Sequence, residues 1–225
     1  MENHSQLVFS NQDDVHPDLE KVVQKHMAHS FLKIIRRDNQ HAFENAMAIY
    51  QQFLQCSPNA QLILDSACGV GESSVFFAKE NPQDFVLGVD QSLVRLNKKK
   101  QNLPPNLHFV RADLVDFWRL LAQHRIFLKK HYLLYPNPYP KKKHLQRRFH
   151  AHSVFPILKT LGGTFECRSN WQIYIQEMAK ALFFLSAQNV LVENFQPQTI
   201  ITPFERKYLN SAHHLWRCRI DFLKK

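Results

Sequence analysis

The apolar positions change their period along the chain. From Asp18 to Ala28, and again from Asn39 to Gln55, they recur at intervals of three and four, as in Phe43, Ala46, Met47, Tyr50, Phe53 and Leu54. That is the stripe of a helix with one buried face. Pro58 closes this helical preface, because proline has no N–H with which to continue a helix. Beyond it the pattern becomes a series of short apolar runs: Leu62 to Asp65, Phe85 to Asp90, Leu107 to Arg111, His131 to Tyr135 and Thr164 to Cys167. Runs of that length read as buried strands, and the helical stretches between them predict an α/β fold with a mostly parallel sheet. Two further strand-like runs, Asn189 to Glu193 and Leu215 to Phe222, follow without a convincing helix between them. They are expected to form an antiparallel pair at one sheet edge. The expected organisation is a helical extension over residues 1–57 and an α/β domain over 58–225.

Composition narrows the partners. A chain of 225 residues that is 44% hydrophobic suits one α/β domain. Lys and Arg outnumber Asp and Glu by 29 to 19, for a formal net charge of +10, and such an imbalance favours a polyanion. No run approaches the roughly 18 apolar residues of a membrane span, and Met1 to Ser10 lacks the layout of a signal peptide. No membrane partner is expected. Cys56, Cys68, Cys167 and Cys218 are far apart, and pairs such as His150 with His152 or His213 with His214 lack metal-ligand spacing. Reduced thiols, a cytoplasmic location and no metal are the expectation, with monomer and homodimer both open.

In sheets of this kind ligands bind beyond the carboxyl ends of the strands. The first strand ends in Asp65-Ser-Ala-Cys-Gly69-Val-Gly71-Glu72, where two glycines allow a tight turn and close approach of a ligand to the backbone. The second ends in Asp90, suited to accepting both hydroxyls of a ribose, and the third runs into Arg111-Ala112-Asp113, with a carboxylate for an adenine amino group. A nicotinamide dinucleotide would ask for a third glycine at Ser74, and Asp65 and Glu72 would repel its pyrophosphate. A sulfonium cofactor has positive charge and no phosphate, so the same acids favour it. The pattern points to S-adenosylmethionine held by Asp65, Gly69, Gly71, Asp90 and Asp113. The plainer alternative is a glycine loop with acids that cap the following helices.

The fourth strand leads into Tyr135-Pro136-Asn137-Pro138-Tyr139-Pro140-Lys141-Lys142-Lys143-His144, followed by Arg147 and Arg148. Three prolines in five residues stiffen this loop and forbid helix until past Pro140. Five cations within eight residues adjoin it, with Tyr135 and Tyr139 as flat faces for a base. The combination reads as a base-reading loop beside a phosphate clamp for RNA, against the plainer reading of a solvated charged face.

With these motifs the sequence resembles the bacterial tRNA (guanine-N7-)-methyltransferases, whose pattern after the fourth strand is a Pro-Asp-Pro-Trp stretch and a basic run. The match continues with Leu161-Gly162-Gly163, with Ser169-Asn170-Trp171 and with Thr202-Pro203-Phe204-Glu205-Arg206, so the motifs cover Leu62 to about Ile220. The resemblance implies a Rossmann-like class I methyltransferase fold with a seven-stranded sheet, and S-adenosylmethionine on Asp65, Asp90 and Asp113. It implies tRNA as partner, with Lys141 and Thr202, Phe204 and Glu205 at the guanosine and Lys141 to Arg148 on phosphates. Asn137 would stand beside both ligands, nearest the chemistry, and Asn170 would place the base. The implied acceptor is N7 of the variable-loop guanine.

Four positions depart from the family pattern. Asn137 and Asn170 stand where it has aspartate, Tyr139 where it has tryptophan and Ala67 where it has glycine. Guanine N7 carries a lone pair and no proton, so methyl transfer to it needs alignment rather than a general base. An asparagine carbonyl still accepts a bond from the guanine N1 or N2 edge, without the charge that strengthens it. Losing one charge-assisted bond costs about 1.5–3 kcal/mol, or roughly ten- to a hundredfold in rate. Two other readings follow: the same cofactor with another RNA or small-molecule acceptor, or an RNA-binding paralogue without catalysis. The intact Asp65, Gly69, Gly71, Asp90 and Asp113 stand against the last.

Overall fold

The computed structural model describes residues 5–98 and 102–223; residues 1–4 of the expected extension and 224–225 of the expected α/β domain lie outside them. Seven strands are formed: β1 (Leu62–Ser66), β2 (Phe85–Asp90), β3 (Leu107–Arg111), β4 (Leu128–Leu134), β5 (Thr164–Ser169), β6 (Val192–Phe195) and β7 (Leu215–Asp221). Their order is β3-β2-β1-β4-β5-β7-β6. Strands β1 to β5 run parallel, and β7 is antiparallel to both β5 and β6. The direction of winding reverses beside β1, which opens a crevice at the carboxyl ends of β1 and β4. All five residues of β1 and all six of β2 are buried, as strands covered on both faces must be.

The helices are α1 (Leu19–Ala28), α2 (Arg37–Cys56), α3 (Glu72–Glu80), α4 (Leu93–Leu96), α5 (Leu114–Gln123), α6 (Ile157–Leu161), α7 (Gln172–Ser186) and α8 (Pro203–Asn210). The two expected N-terminal helices are present, and their stripes enter the main core: Leu19 and Val23 of α1, with Phe43, Ala46 and Met47 of α2, are buried there. Helix α1 packs on α7, and α2 packs on α5 and β3. Each of the larger side chains, Leu19, Val23, Phe43 and Met47, contributes about 1.5–3 kcal/mol on burial.

Two expectations are corrected. Helix α8 lies between β6 and β7, where no convincing helix was expected. Its eight residues carry no long apolar stripe, and it is held at its start: Thr202 Oγ1 accepts from the Glu205 N–H at 3.0 Å, with Pro203 in the first turn. Strand β4 begins at Leu128, three residues before the apolar run predicted. Lys129 and Lys130 hid it; they carry their charge outward to Asp84 and Asn81, at 2.6 and 3.1 Å.

Candidate active site

The loop after β1 is built to leave room. Gly69 has φ +59°, Gly71 has φ +82°, and Ala67 shares this left-handed geometry at φ +58°. A Cβ added at Gly69 would meet no heavy atom within 4 Å, so open space lies above a backbone that a ligand can approach. The Gly69 N–H donates to Asp90 Oδ2 at 2.9 Å, which joins this loop to the end of β2.

Asp65 is buried below the loop. Its Oδ2 accepts from the hydroxyls of Ser73 and Ser74, both at 2.6 Å, and among the described residues Oδ1 has no partner. Ser74 thus replaces the third glycine of a dinucleotide loop with a clamp on this acid. Burial pushes the Asp65 carboxyl up to about 6, against the pull of the two hydroxyls. A buried carboxylate oxygen without a donor is costly and is relieved by a cation. The donor set therefore fits the cationic end of an amino-acid-bearing cofactor. Glu72, the second acid of the loop, turns outward to Arg206 of α8 at 2.9 Å.

Asp90 is buried as well. Its Oδ1 accepts from the Ser92 N–H at 2.8 Å, and Arg95 lies 3.5 Å from Oδ2. A carboxylate oxygen accepts two hydrogen bonds, so capacity for ribose hydroxyls remains, with Arg95 as their neighbour. Asp113 lines a pocket of about 380 Å³ together with Gln91, Arg111, Ala112 and, from the start of α2, Arg36, Asp38 and Asn39. Both readings of Asp113 hold at once. Its Oδ1 caps α5 by accepting from the Val115 N–H at 2.8 Å, while the residue borders the cavity. Asn39 braces this wall, accepting from the Asp113 N–H at 3.1 Å and donating to Asp116 at 2.7 Å. The sequence reading missed Arg36, Asn39 and Arg95. Their only signal was membership of a helical stripe or a charged surface.

At the end of β4 the loop divides into an outer and an inner part. Asn137 is exposed, with Oδ1 accepting from the Tyr139 N–H at 3.3 Å. Lys141, Lys142, Lys143 and Arg147 are exposed, and the Arg147 guanidinium lies 6.0 Å from the Tyr139 ring centre. Tyr135, expected as a second stacking face, is buried; its hydroxyl donates to Glu205 at 3.0 Å and its ring packs against Phe204 and Tyr208.

Arg148 is likewise not on the phosphate-facing surface expected for it. It is fully buried, paired with Glu177 at 2.5 Å, and donates to the Tyr139 carbonyl at 3.1 Å and to Gln12 at 3.0 Å. His150 donates to the same glutamate at 2.8 Å. Burial opposes ionisation of Glu177, yet His150 and Arg148 hold its carboxyl down to about 2. This knot fixes the loop from inside and ties down the N-terminal segment, whose Ser10 hydroxyl also donates to the Pro140 carbonyl at 2.7 Å.

Glu205 was expected at the guanosine and is instead fully buried, accepting from Arg168 at 2.6 Å and from the Ile201 N–H at 2.8 Å. Its neighbours differ: Thr202 is buried as the cap of α8, and Phe204 is 42% exposed. Asn170, half-buried just beyond β5, lies 3.2 Å from His213. Asp65, Gly69, Gly71, Asp90, Asn137 and Asn170 all lie at or just beyond the carboxyl ends of β1, β2, β4 and β5.

Comparison with known proteins bears on this geometry. A protein-family model described as "Putative methyltransferase" matches residues 59–218. The tRNA (guanine-N(7)-)-methyltransferase of Acinetobacter baylyi is 26% identical over 173 residues, covering 70% of this chain and 69% of that protein. The protein of the same name from Acidovorax sp. is 25% identical over 174 residues, covering 70% and 66%. The chain thus spans about two thirds of the length of these curated relatives. Among solved structures, the 16S rRNA methyltransferase KamB aligns with a TM-score of 0.54 at 17% identity, over 76% of this chain and 92% of that one. A 16S rRNA (adenine(1408)-N(1))-methyltransferase from Catenulisporales acidiphilia, solved with its cosubstrate SAM, aligns at 0.53 and 16% identity, over 75% and 89%. These two likenesses show a shared fold.

Proposed function

The chain belongs to this S-adenosylmethionine-dependent methyltransferase family, and from that premise we propose that it methylates N7 of a guanine in tRNA. The observation that carries the reading is a convergence at the carboxyl ends of the central strands. A buried carboxylate oxygen at Asp65 with no donor among the described residues, the open space above Gly69 and the cation-bearing loop from Asn137 to Arg147 lie at neighbouring strand ends. The names of the curated relatives support tRNA as the substrate.

Asp65 would meet the cationic amino-acid end of the cofactor, Asp90 its ribose, and the cavity beside Asp113 its adenine. When bound, the cofactor supplies an electrophilic methyl carbon on a sulfonium centre. The residues of the chain then have one task, because N7 has a lone pair and no proton to lose: they align the base with that carbon. Asn137 and Asn170 each offer a carbonyl to the N–H groups of the guanine edge. Lys141, Lys142, Lys143 and Arg147 hold backbone phosphates, and Tyr139 offers a stacking face. Neither asparagine brings a charge to offset the positive charge that develops on the base, so turnover is expected to be slower than with carboxylates at these places.

The test is transfer of labelled methyl from S-adenosylmethionine to unmodified bulk tRNA, followed by separation of the nucleosides. Label in 7-methylguanosine supports the proposal. Label absent from tRNA while the cofactor still binds would redirect the activity to another acceptor.

A further inference from the structure

We infer that His213 is a positioning residue that decides which side of the Asn170 amide meets the acceptor purine, and so sets the site to read N–H donors. The inference rests on the tRNA guanine reading and adds to it a means of base selection. His213 lies in the turn between α8 and β7, is 6% exposed, and stacks on Tyr208 with centroids 5.4 Å apart and planes inclined by 13°. Its Nε2 is 3.1 Å from the Ser5 carbonyl oxygen, and its Nδ1 is 3.2 Å from Nδ2 of Asn170.

These two contacts constrain each other. A carbonyl oxygen only accepts, so Nε2 carries the proton, and in a neutral imidazole Nδ1 is then an acceptor. An acceptor at Nδ1 requires a donor from Asn170. The amide is thereby fixed with its NH₂ group toward His213 and its carbonyl turned away. Among the described residues no group donates to that carbonyl, and Asn170 is half-buried at the carboxyl end of β5, beside the loop that carries Asn137. An outward acceptor suits guanine, whose N1–H and N2–H₂ are donors, and opposes the acceptor N1 of adenine. Asparagine matches the Nδ1 lone pair of a neutral His213 with a donor, whereas an aspartate here would call for a second proton on the ring.

The first measurement is the imidazole nitrogen spectrum of the full chain with ¹⁵N-histidine. A protonated Nε2 and bare Nδ1 at His213 are expected, and the opposite tautomer overturns the inference whatever the acceptor proves to be. The second uses tRNA carrying guanine or inosine, which lacks the N2 amino group, at the one nucleotide the wild type methylates. The wild type is expected to favour guanine by about five- to tenfold in kcat/KM, the worth of one hydrogen bond. In His213→Ala, and in the larger His213→Leu that better fills the space beside Tyr208, the amide is free to turn and the ratio falls toward one, mainly through KM. His213→Asn, whose carbonyl accepts from Asn170 in place of Nδ1, is expected to keep the preference. An undiminished ratio in either of the first two variants, with cofactor affinity intact, overturns the role of His213 and leaves the tRNA reading standing. A wild type that methylates no tRNA guanine overturns both.

Discussion

Single positions at the glycine loop have measurable consequences. Ala67 holds φ +58°, and a Cβ in the left-handed region costs about 1 kcal/mol. Ala67→Gly is therefore expected to raise stability by about that amount in urea unfolding. Asp65 gives a pH signature. Its folded carboxyl is raised to about 6 by burial, so the folded protein holds this proton more tightly than the unfolded chain does. The resulting stabilisation is present in acid and is lost as pH rises through about 6. A cationic ligand needs the ionised form, so affinity for S-adenosylmethionine is expected to weaken by up to about tenfold per unit below pH 6, read by titration calorimetry. If the proposed tRNA reading holds, Asn137→Asp adds a charge beside the base and should raise kcat on tRNA by about tenfold, with KM little changed. The acids and glycines behind these predictions were legible because each acts near its own place in the chain. His213 was not legible, since its importance comes from Ser5 and Asn170, which are distant in sequence.

At the level of elements, the knot of Arg148, Glu177, His150 and Gln12 joins the loop after β4, helix α7 and the N-terminal segment. Removing one member strands a buried charge, so Arg148→Ala is expected to cost about 3–5 kcal/mol in denaturant unfolding. Glu177 is held down to about 2, so its contribution is present above the ordinary carboxylate value and is lost as pH falls toward 2. The basic run had marked Arg148 as a phosphate contact because charge runs read alike in sequence; the buried glutamate that claims it is 29 residues away. Helix α8 was legible in principle. Thr202-Pro203-Phe204-Glu205 carries a cap, a first-turn proline and an acid three residues on, but it has no long apolar stripe to draw attention.

Across the whole molecule, the net charge of +10 sets the terms of association with a polyanion. Lys141 and Arg147 are exposed in the segment that follows β4. Replacing both by alanine is expected to weaken tRNA binding and to lower the slope of log K against log salt by about 2, measured by filter binding, with the unfolding midpoint unchanged. Arg148→Ala should instead lower the unfolding midpoint and leave the salt slope unchanged, since its partners are internal. The sequence by itself determined the α/β class, the strands through their buried apolar runs, and the acids and glycines at the strand ends. Those follow from local period and from residues whose chemistry does not depend on a distant partner. Only the tertiary structure decided which charges face solvent, that the start of α2 forms a wall of the Asp113 cavity, and that Arg148 and Glu205 are internal. Each of these depends on pairings between segments far apart in the chain, and burial converts a cation from a surface contact into a core ion pair without changing a letter of the sequence.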